Sequence, residues 1–498
     1  MELTSIELLP LFLAVAGLVL AAAVLGTRLS MRAGIPTAIA FLALGVVLGT
    51  QQRVRDAVVS YDAAYAAGNI ALALILFYGG LCTDLRRTRG IWAPSIVLAT
   101  IGVVGVSLLT AFMAYLLLPG FRWEHALILG AVLGSTDAAS VLQILAGERI
   151  AGKVRETVEL ESGLNDPMAF VLVASFTAIA AGDGWSWMSI PEILWQLVAG
   201  AAIGGAIGWA AGRAMDWFAE ESHEVYPAMT IALALLSYGM ASLAHASGLL
   251  AVFITALVLG NLRGLPYRGT LVRFHGALAY MAQILMFIVL GVLVQPKQLL
   301  QPQTLIGGTV LAIVLALIAR PVVVSAILLP FGFTARETAA IAWLGLRGAV
   351  PIILMTIPIL VAKDDPDVGS LQPLFNAVFI CVLVGSFIPG ATVRWVLRLL
   401  RLRLPPAPRP SATIDIITKT PLDTSLLMLV VQPGAPVAGK TLATAGIPGD
   451  VTVALLVRGS KTERVRGDTV FQVGDEVALS VPERTMVAMR ALFGEDEE

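Results

Sequence analysis

The sequence predicts an all-α polytopic membrane protein of about thirteen transmembrane helices, with a small α+β domain at its C-terminal end. Composition and pattern both predict it. Of 498 residues, 57% are apolar and 13% are Asp, Glu, Lys or Arg, about half the charged share of ordinary soluble domains. A mean hydropathy of +0.85 exceeds what one large core requires, because a globular interior of that size still needs a charged shell. Apolar windows of roughly 20 residues, the length that crosses a bilayer core, recur along the chain and stop before the last fifth of it. A soluble enzyme of this size is excluded, and neither enzymatic activity nor a cofactor is expected. The net charge of -1 leaves no basic excess for nucleic acid. Cys82 and Cys381 lie far apart in apolar segments, so they suggest packing residues at lipid depth rather than a disulfide framework or a metal site.

In chain order the windows place helices over 6–26, 34–50, 64–83, 91–118, 125–146, 158–181, 191–217, 225–246, 248–262, 275–295, 303–330, 336–362 and 371–397. The N-terminus carries Glu2 and Glu7 and lacks the basic start and cleavage site of a signal peptide, so the first span is expected to stay as an anchor. Alternate loops differ in Lys and Arg. One set holds Arg28, Arg32, Arg86, Arg87, Arg89, Arg149, Lys153, Arg155, Arg213, Arg263, Arg268, Arg273 and Arg336; the other holds Arg53, Arg55, Arg122, Lys297 and Lys363. The richer set faces the cytoplasm by the positive-inside rule. Arg394, Arg398, Arg401 and Arg403 then put the C-terminus inside and, with an odd number of spans, the N-terminus outside.

The expected domains are a transmembrane unit over 1–403, a Pro-rich linker over 404–423 and a cytoplasmic domain over 424–498. The linker contains Pro405-Pro406-Ala407-Pro408-Arg409-Pro410, a stiff polyproline run. In the last domain, short apolar runs over 426–431, 451–457 and 470–481 are bounded by Gly, Pro and Asp, and a helical pattern covers 483–493.

Ionisable groups at bilayer depth cost about 2.5 to 3.5 kcal/mol each on insertion scales, so the few present mark a wet, functional interior. The fifth span contains Gly134-Ser135-Thr136-Asp137, and the sixth contains Glu161-Ser162-Gly163-Leu164-Asn165-Asp166-Pro167. Basic residues within spans are Arg320, before Pro321, and Arg347, within Gly345-Leu346-Arg347-Gly348-Ala349-Val350-Pro351. Residues four apart share a helix face, so Ser162 and Asp166 point one way while Glu161 and Asn165 point about a third of a turn away. Asp166, Ser162, Asp137 and Thr136 offer the oxygen-only ligand set that suits a hard monovalent cation. Burial disfavours the charged form of a carboxyl, which lets Asp166 hold a proton in one half of a cycle and a cation in the other. Glu161 is better placed to pair with a buried Arg. Spans five and twelve are each interrupted by glycine or proline, at matching places if spans 1–6 and 8–13 form two halves, and paired broken helices point to a transporter site at the midplane. Arg347 sits near the second break, where its charge can neutralise helix C-terminal carbonyls.

These three segments together resemble the NhaP branch of bacterial monovalent cation:proton antiporters, over roughly residues 5–400. The resemblance implies inverted repeats, two broken helices that cross, homodimers, and alternating access by movement of a core domain against a dimerisation domain. By position it implies that Asp166, Asp137, Thr136 and Ser162 form the ion site and that Glu161 with Arg320 forms a buried structural ion pair. Electrogenic relatives carry two adjacent aspartates where this chain has Asn165-Asp166, so Asn165 implies one exchangeable charge and electroneutral exchange. The tail, with Pro433-Gly434 to Leu442, Gly467-Asp468-Thr469 and Gly474-Asp475, resembles the C-terminal half of RCK (TrkA-C-like) regulatory modules. Such a tail implies the potassium/proton antiporter group, a bacterial inner-membrane location and a small-molecule regulatory ligand. The segment 404–423 is too short for a nucleotide-binding βαβ unit, and no GxGxxG fingerprint is present.

The expected partners are therefore K+ or Na+, H+ and membrane lipid, with K+ favoured and sodium/proton exchange as the alternative. RCK tails also regulate channels, but a carbonyl filter such as TVGYG is absent from the sequence. Glu156 and Glu159 read as solvated residues near the cytoplasmic end of span six. Gly200, Gly204, Gly208 and Gly212 read as a close-packing face. His125, His223, His245 and His275 read as interfacial residues near span ends.

Overall fold

The computed structural model describes residues 5–33, 36–51, 61–85, 88, 90–118, 122–137, 150, 152–183, 189–217, 225–262, 265–361, 371–403, 424–459 and 461–494. The chain divides into a membrane unit and a C-terminal unit that takes in Leu404–Glu498.

The membrane unit is helical. Its elements are α1 (Ser5–Ala33), α2 (Thr37–Gly49), α3 (Tyr61–Cys82), α4 (Trp92–Leu117), α5 (Trp123–Val132), α6 (Gly152–Ala178), α7 (Ser189–Trp217), α8 (Val225–Leu243), α9 (Gly248–Gly260), α10 (Arg268–Val292), α11 (Pro302–Phe331), α12 (Ala335–Trp343), α13 (Val350–Val361) and α14 (Leu371–Leu399). Each of the segments expected to be a span contains helix. Among the described residues, eight helices are long and apolar enough to cross a bilayer, and four shorter apolar helices accompany them. The count of thirteen crossings goes beyond what those lengths establish.

Local sequence explains where elements start and stop. Thr334 and Glu337 close a reciprocal capping box at the start of α12, satisfying backbone donors that a helix start leaves without partners. Gly332, at φ +77°, ends α11 in the left-handed conformation that glycine adopts without penalty. The small residues of α7 behave as expected. Gly200, Gly204 and Gly208 lie against Ser247, Ala251 and Val258 of the α9 region, where added side chains would collide. Thr255 Oγ1 of α9 donates to the Gly204 carbonyl at 3.0 Å. Bilayer-depth association needs such close backbone approach, since lipid supplies no hydrophobic drive between helices.

The helix is lost at both places where an interruption was expected. Helix α5 ends at Val132, and Leu133 to Asp137 leave the helix. Helix α12 ends at Trp343, the chain runs irregularly through Leu344–Ala349, and α13 resumes at Val350. The far side of the fifth span, 138–149, lies outside the described residues. The two unwound stretches meet: the Asp137 amide donates to the Leu346 carbonyl at 2.9 Å. Irregular backbone at this depth is tolerated because the breaks satisfy one another instead of facing lipid.

The tail is a four-stranded antiparallel sheet in the order β1-β4-β2-β3, made of β1 (Thr424–Val430), β2 (Thr452–Arg458), β3 (Lys461–Glu463) and β4 (Glu476–Pro482). Helix α15 (Met486–Leu492) follows. Leu429, Val431, Leu456, Phe471, Val477, Leu479, Val481, Met489 and Phe493 form its core. Two details depart from the sequence expectation. The run 470–481 is not one strand, because Gly474, at φ +91°, turns the chain before β4 begins. Strand β3 was not anticipated, since Lys461-Thr462-Glu463 has no apolar pattern and is strand only by pairing with β2.

Candidate ion-binding site

Helix α6 carries the acidic motif through the middle of the membrane unit, and Glu161, Ser162, Asn165 and Asp166 are all buried on it. Asp166 is 3% and Asp137 5% exposed, so both carboxyls are out of bulk water. They lie within electrostatic reach of each other.

Thr136, from the unwound end of span five, stands opposite α6. Its Oγ1 lies 3.0 Å from Ser162 Oγ and accepts from Asn165 Nδ2 at 2.5 Å. The structure therefore brings together Thr136, Ser162 and Asn165 by hydrogen bonds, with Asp137 and Asp166 beside them. The two-face division of α6 holds for Glu161 and fails for Asn165. Relative to Glu161, Asn165 stands about 40° round the helix and Ser162 about 100°, so Asn165 lies between the faces and reaches Thr136. Asp166 Oδ1, Asn165 Oδ1 and Ser135 Oγ are buried with no hydrogen-bond partner among the described residues. Buried acceptors are nearly always satisfied, so the bare Asp166 Oδ1 is an atom that a proton, a water or a dehydrated cation can satisfy.

Glu161 turns to the other side. Arg320 Nη1 and Nη2 donate to Glu161 Oε1 and Oε2 at 2.8 and 2.9 Å, and Arg320 Nε donates to the Ala342 carbonyl at 3.1 Å, at the end of α12. The fork geometry satisfies both carboxylate oxygens and ties α6 to α11 and α12. Arg347, also buried, donates through Nη1 to the Ser135 carbonyl, while the Ser386 hydroxyl donates to the Arg347 carbonyl. It thus bridges the two breaks, and its guanidinium meets a backbone carbonyl that the fifth-span break has released.

Two buried polar side chains gave no signal in the sequence, one beside Arg347 and one away from the site. Ser386, in α14, gave no signal because a lone Ser in an apolar helix is unremarkable. His275 was read as interfacial and is instead fully buried in α10, with Nε2 2.7 Å from Thr230 Oγ1 and its ring 4.7 Å from Phe77. A neighbouring hydroxyl on α8 makes that burial affordable, and nothing in the local sequence announces it. Cys381 is buried as expected, whereas Cys82 is exposed at the end of α3.

Two unwound stretches that meet inside the membrane unit, with buried carboxyl, hydroxyl and amide side chains on and beside them, define a secondary transporter of a small cation. Residues 18–399 match the family described as sodium/hydrogen exchanger, transmembrane, and residues 426–494 match the TrkA-C domain. The chain is 34% identical over 481 residues to the K(+)/H(+) antiporter NhaP of Alkalimonas amylolytica, covering 95% of this chain and 81% of that one. It is 32% identical over 494 residues to the K(+)/H(+) antiporter NhaP2 of Shewanella baltica, covering 98% and 84%. The fold is shared with the sodium proton antiporter MjNhaP1 of Methanocaldococcus jannaschii, at a TM-score of 0.63 and 21% identity over 76% of this chain and 99% of that one. The chain belongs to the sodium/hydrogen exchanger family, and its class of activity is monovalent cation/proton antiport.

Proposed function

We propose that the protein exchanges potassium for protons, one for one, with both species competing for Asp166. The observation that carries this reading is the buried Asp166 Oδ1, which accepts no hydrogen bond among the described residues and belongs to the residue after Asn165, whose side chain joins the Thr136–Ser162 hydroxyl pair. Protonated, the carboxyl is neutral and tolerates burial; deprotonated, it needs a cation beside it. Each half of the cycle therefore leaves the Asp166 carboxyl neutralised, so the two halves carry the same net charge across a low-dielectric barrier. Thr136, Ser162 and Asp137 complete the oxygen shell. Asn165, held by Thr136, adds polarity without a second exchangeable charge, which supports electroneutral exchange.

Potassium is favoured by the two K(+)/H(+) antiporters of similar sequence and by the TrkA-C domain. Residues 1–403 carry the exchange and 424–498 regulate it through a small-molecule ligand, in a homodimer of the bacterial inner membrane with the N-terminus outside and the tail in the cytoplasm. The Glu161–Arg320 pair holds the core together rather than binding the ion, since both carboxylate oxygens are occupied.

Competition is tested in vesicles by measuring potassium-driven proton movement at several pH values. The apparent KM for potassium rises as pH falls while the maximal rate at saturating potassium holds. A maximal rate that falls with an unchanged KM contradicts a shared site. A current that reverses with membrane potential on a solid-supported membrane contradicts electroneutral exchange.

A further inference from the structure

An interruption needs only residues that leave the helix, yet Gly345 and Gly348 are kept bare by what touches them. The space a side chain would take at Gly345 is filled by the Arg320 guanidinium, and the space at Gly348 is filled by the Asp137 carboxylate. The second contact bears on the ion site. It is not a contact with the free end of an exposed chain, because Asp137 is buried and its amide is tied to the Leu346 carbonyl at 2.9 Å, two residues before Gly348. That bond fixes the separation of the two unwound backbones, and the carboxylate lies in the gap they leave.

We propose that Gly348 is a positioning residue for the transport reaction: its bare Cα face seats the Asp137 carboxylate and so fixes where the second carboxyl of the site stands relative to Asp166. The role in transport rests on the proposed cation site, whereas the seating itself is a contact that can be read without transport. A methyl group at 348 collides with the side chain of Asp137 from its Cβ outward. The carboxylate must then move, and misplacing a site group by about 1 Å costs on the order of 10- to 100-fold in efficiency.

The test is a double-mutant cycle in the full chain, using Gly348→Ala, Asp137→Gly and both together, read first as the thermal unfolding midpoint of purified protein. Removing the Asp137 side chain, Cβ included, removes the collision. The expected result is that Gly348→Ala lowers the midpoint in the natural background and lowers it far less beside Asp137→Gly. An equal fall in both backgrounds overturns the proposal. If the single variant yields no folded protein, recovery in the double variant carries the same result, and loss of both overturns it. In vesicles, folded Gly348→Ala protein shows a potassium KM raised on the order of 10-fold and a displaced pH profile, rather than only a lower maximal rate. A KM and a pH profile like those of the unaltered protein also overturn it. Failure of the cation reading is a separate result: exchange that persists in Asp166→Asn removes that reading and leaves the thermal cycle standing.

Discussion

Glu161 and Arg320 meet through two hydrogen bonds of 2.8 and 2.9 Å in a place where both are almost fully buried. Their attraction repays a large desolvation cost, so the pair adds little net stability while either member alone is very costly. Glu161→Gln is expected to destabilise the protein by about 3 to 5 kcal/mol through the stranded guanidinium, read as a fall in thermal unfolding midpoint. A change below about 1 kcal/mol would show that Arg320 finds another partner. The acidic members of this neighbourhood were legible in the sequence because a carboxyl in an apolar run stands out against its surroundings. The pairing of Glu161 with Arg320 came only with the family resemblance, since 159 residues separate the two. Asn165 was half legible: helical spacing placed it with Glu161, and only the position of the fifth-span break shows that it reaches Thr136. The roles of Gly345 and Gly348 as seats for charged side chains were not legible at all, because a sequence reveals that a residue lacks a side chain but not what fills the space.

At the scale of elements, the breaks in spans five and twelve were read from glycine and proline alone, and they occur where those residues lie. What composition does not carry is how the breaks engage, through Asp137 to Leu346 and Arg347 to Ser135. A second engagement holds the start of α6. Ile150, two residues before it, pairs in an antiparallel bridge with Arg403, just beyond α14. Leu400 and Leu402 pack against the same buried cluster as Ile150, Val154 and Val158. Bridge partners have Cα atoms about 4.5 to 5.5 Å apart, inside the range a disulfide spans. Ile150→Cys with Arg403→Cys, in a chain whose Cys82 and Cys381 are replaced by Ala, is expected to cross-link on mild oxidation. Two free thiols after oxidation would contradict the bridge. In the tail, Asp475 has a side chain 2% exposed and is held by Arg458 Nε and Nη2 at 2.8 and 2.7 Å and by the Gln472 amide. The carboxylate raises the Arg458 guanidinium above its ordinary value. Because the folded value is the higher one, this contribution is present at neutral pH and is lost as pH climbs above the ordinary arginine range. Arg458→Ala strands Asp475 and is expected to make the tail of the full chain more sensitive to limited proteolysis at neutral pH. A digestion rate equal to that of the unaltered chain would show that the pair is dispensable. The tail was less legible than the membrane unit, since a strand such as β3 exists by pairing rather than by pattern.

For the whole molecule, hydropathy and the placement of basic residues defined a polytopic protein, whereas the number of crossings was less accessible. A helix interrupted at mid-membrane divides its apolar length, so α12 with α13 falls short of the length that marks a simple span. The same unwound stretches mark the site, so irregular backbone among the described residues is the part that points to the function. The proposed exchange stands on Asp166 as its carrier and on potassium as the cation carried. It is tested most directly in vesicles with an imposed pH gradient, by adding potassium, sodium or lithium to the unaltered protein and to Asp166→Asn. Potassium is expected to dissipate the gradient, and the dissipation is expected to vanish in the variant. Dissipation by potassium at an unaltered rate in Asp166→Asn, or by sodium or lithium but not potassium in the unaltered protein, would contradict it.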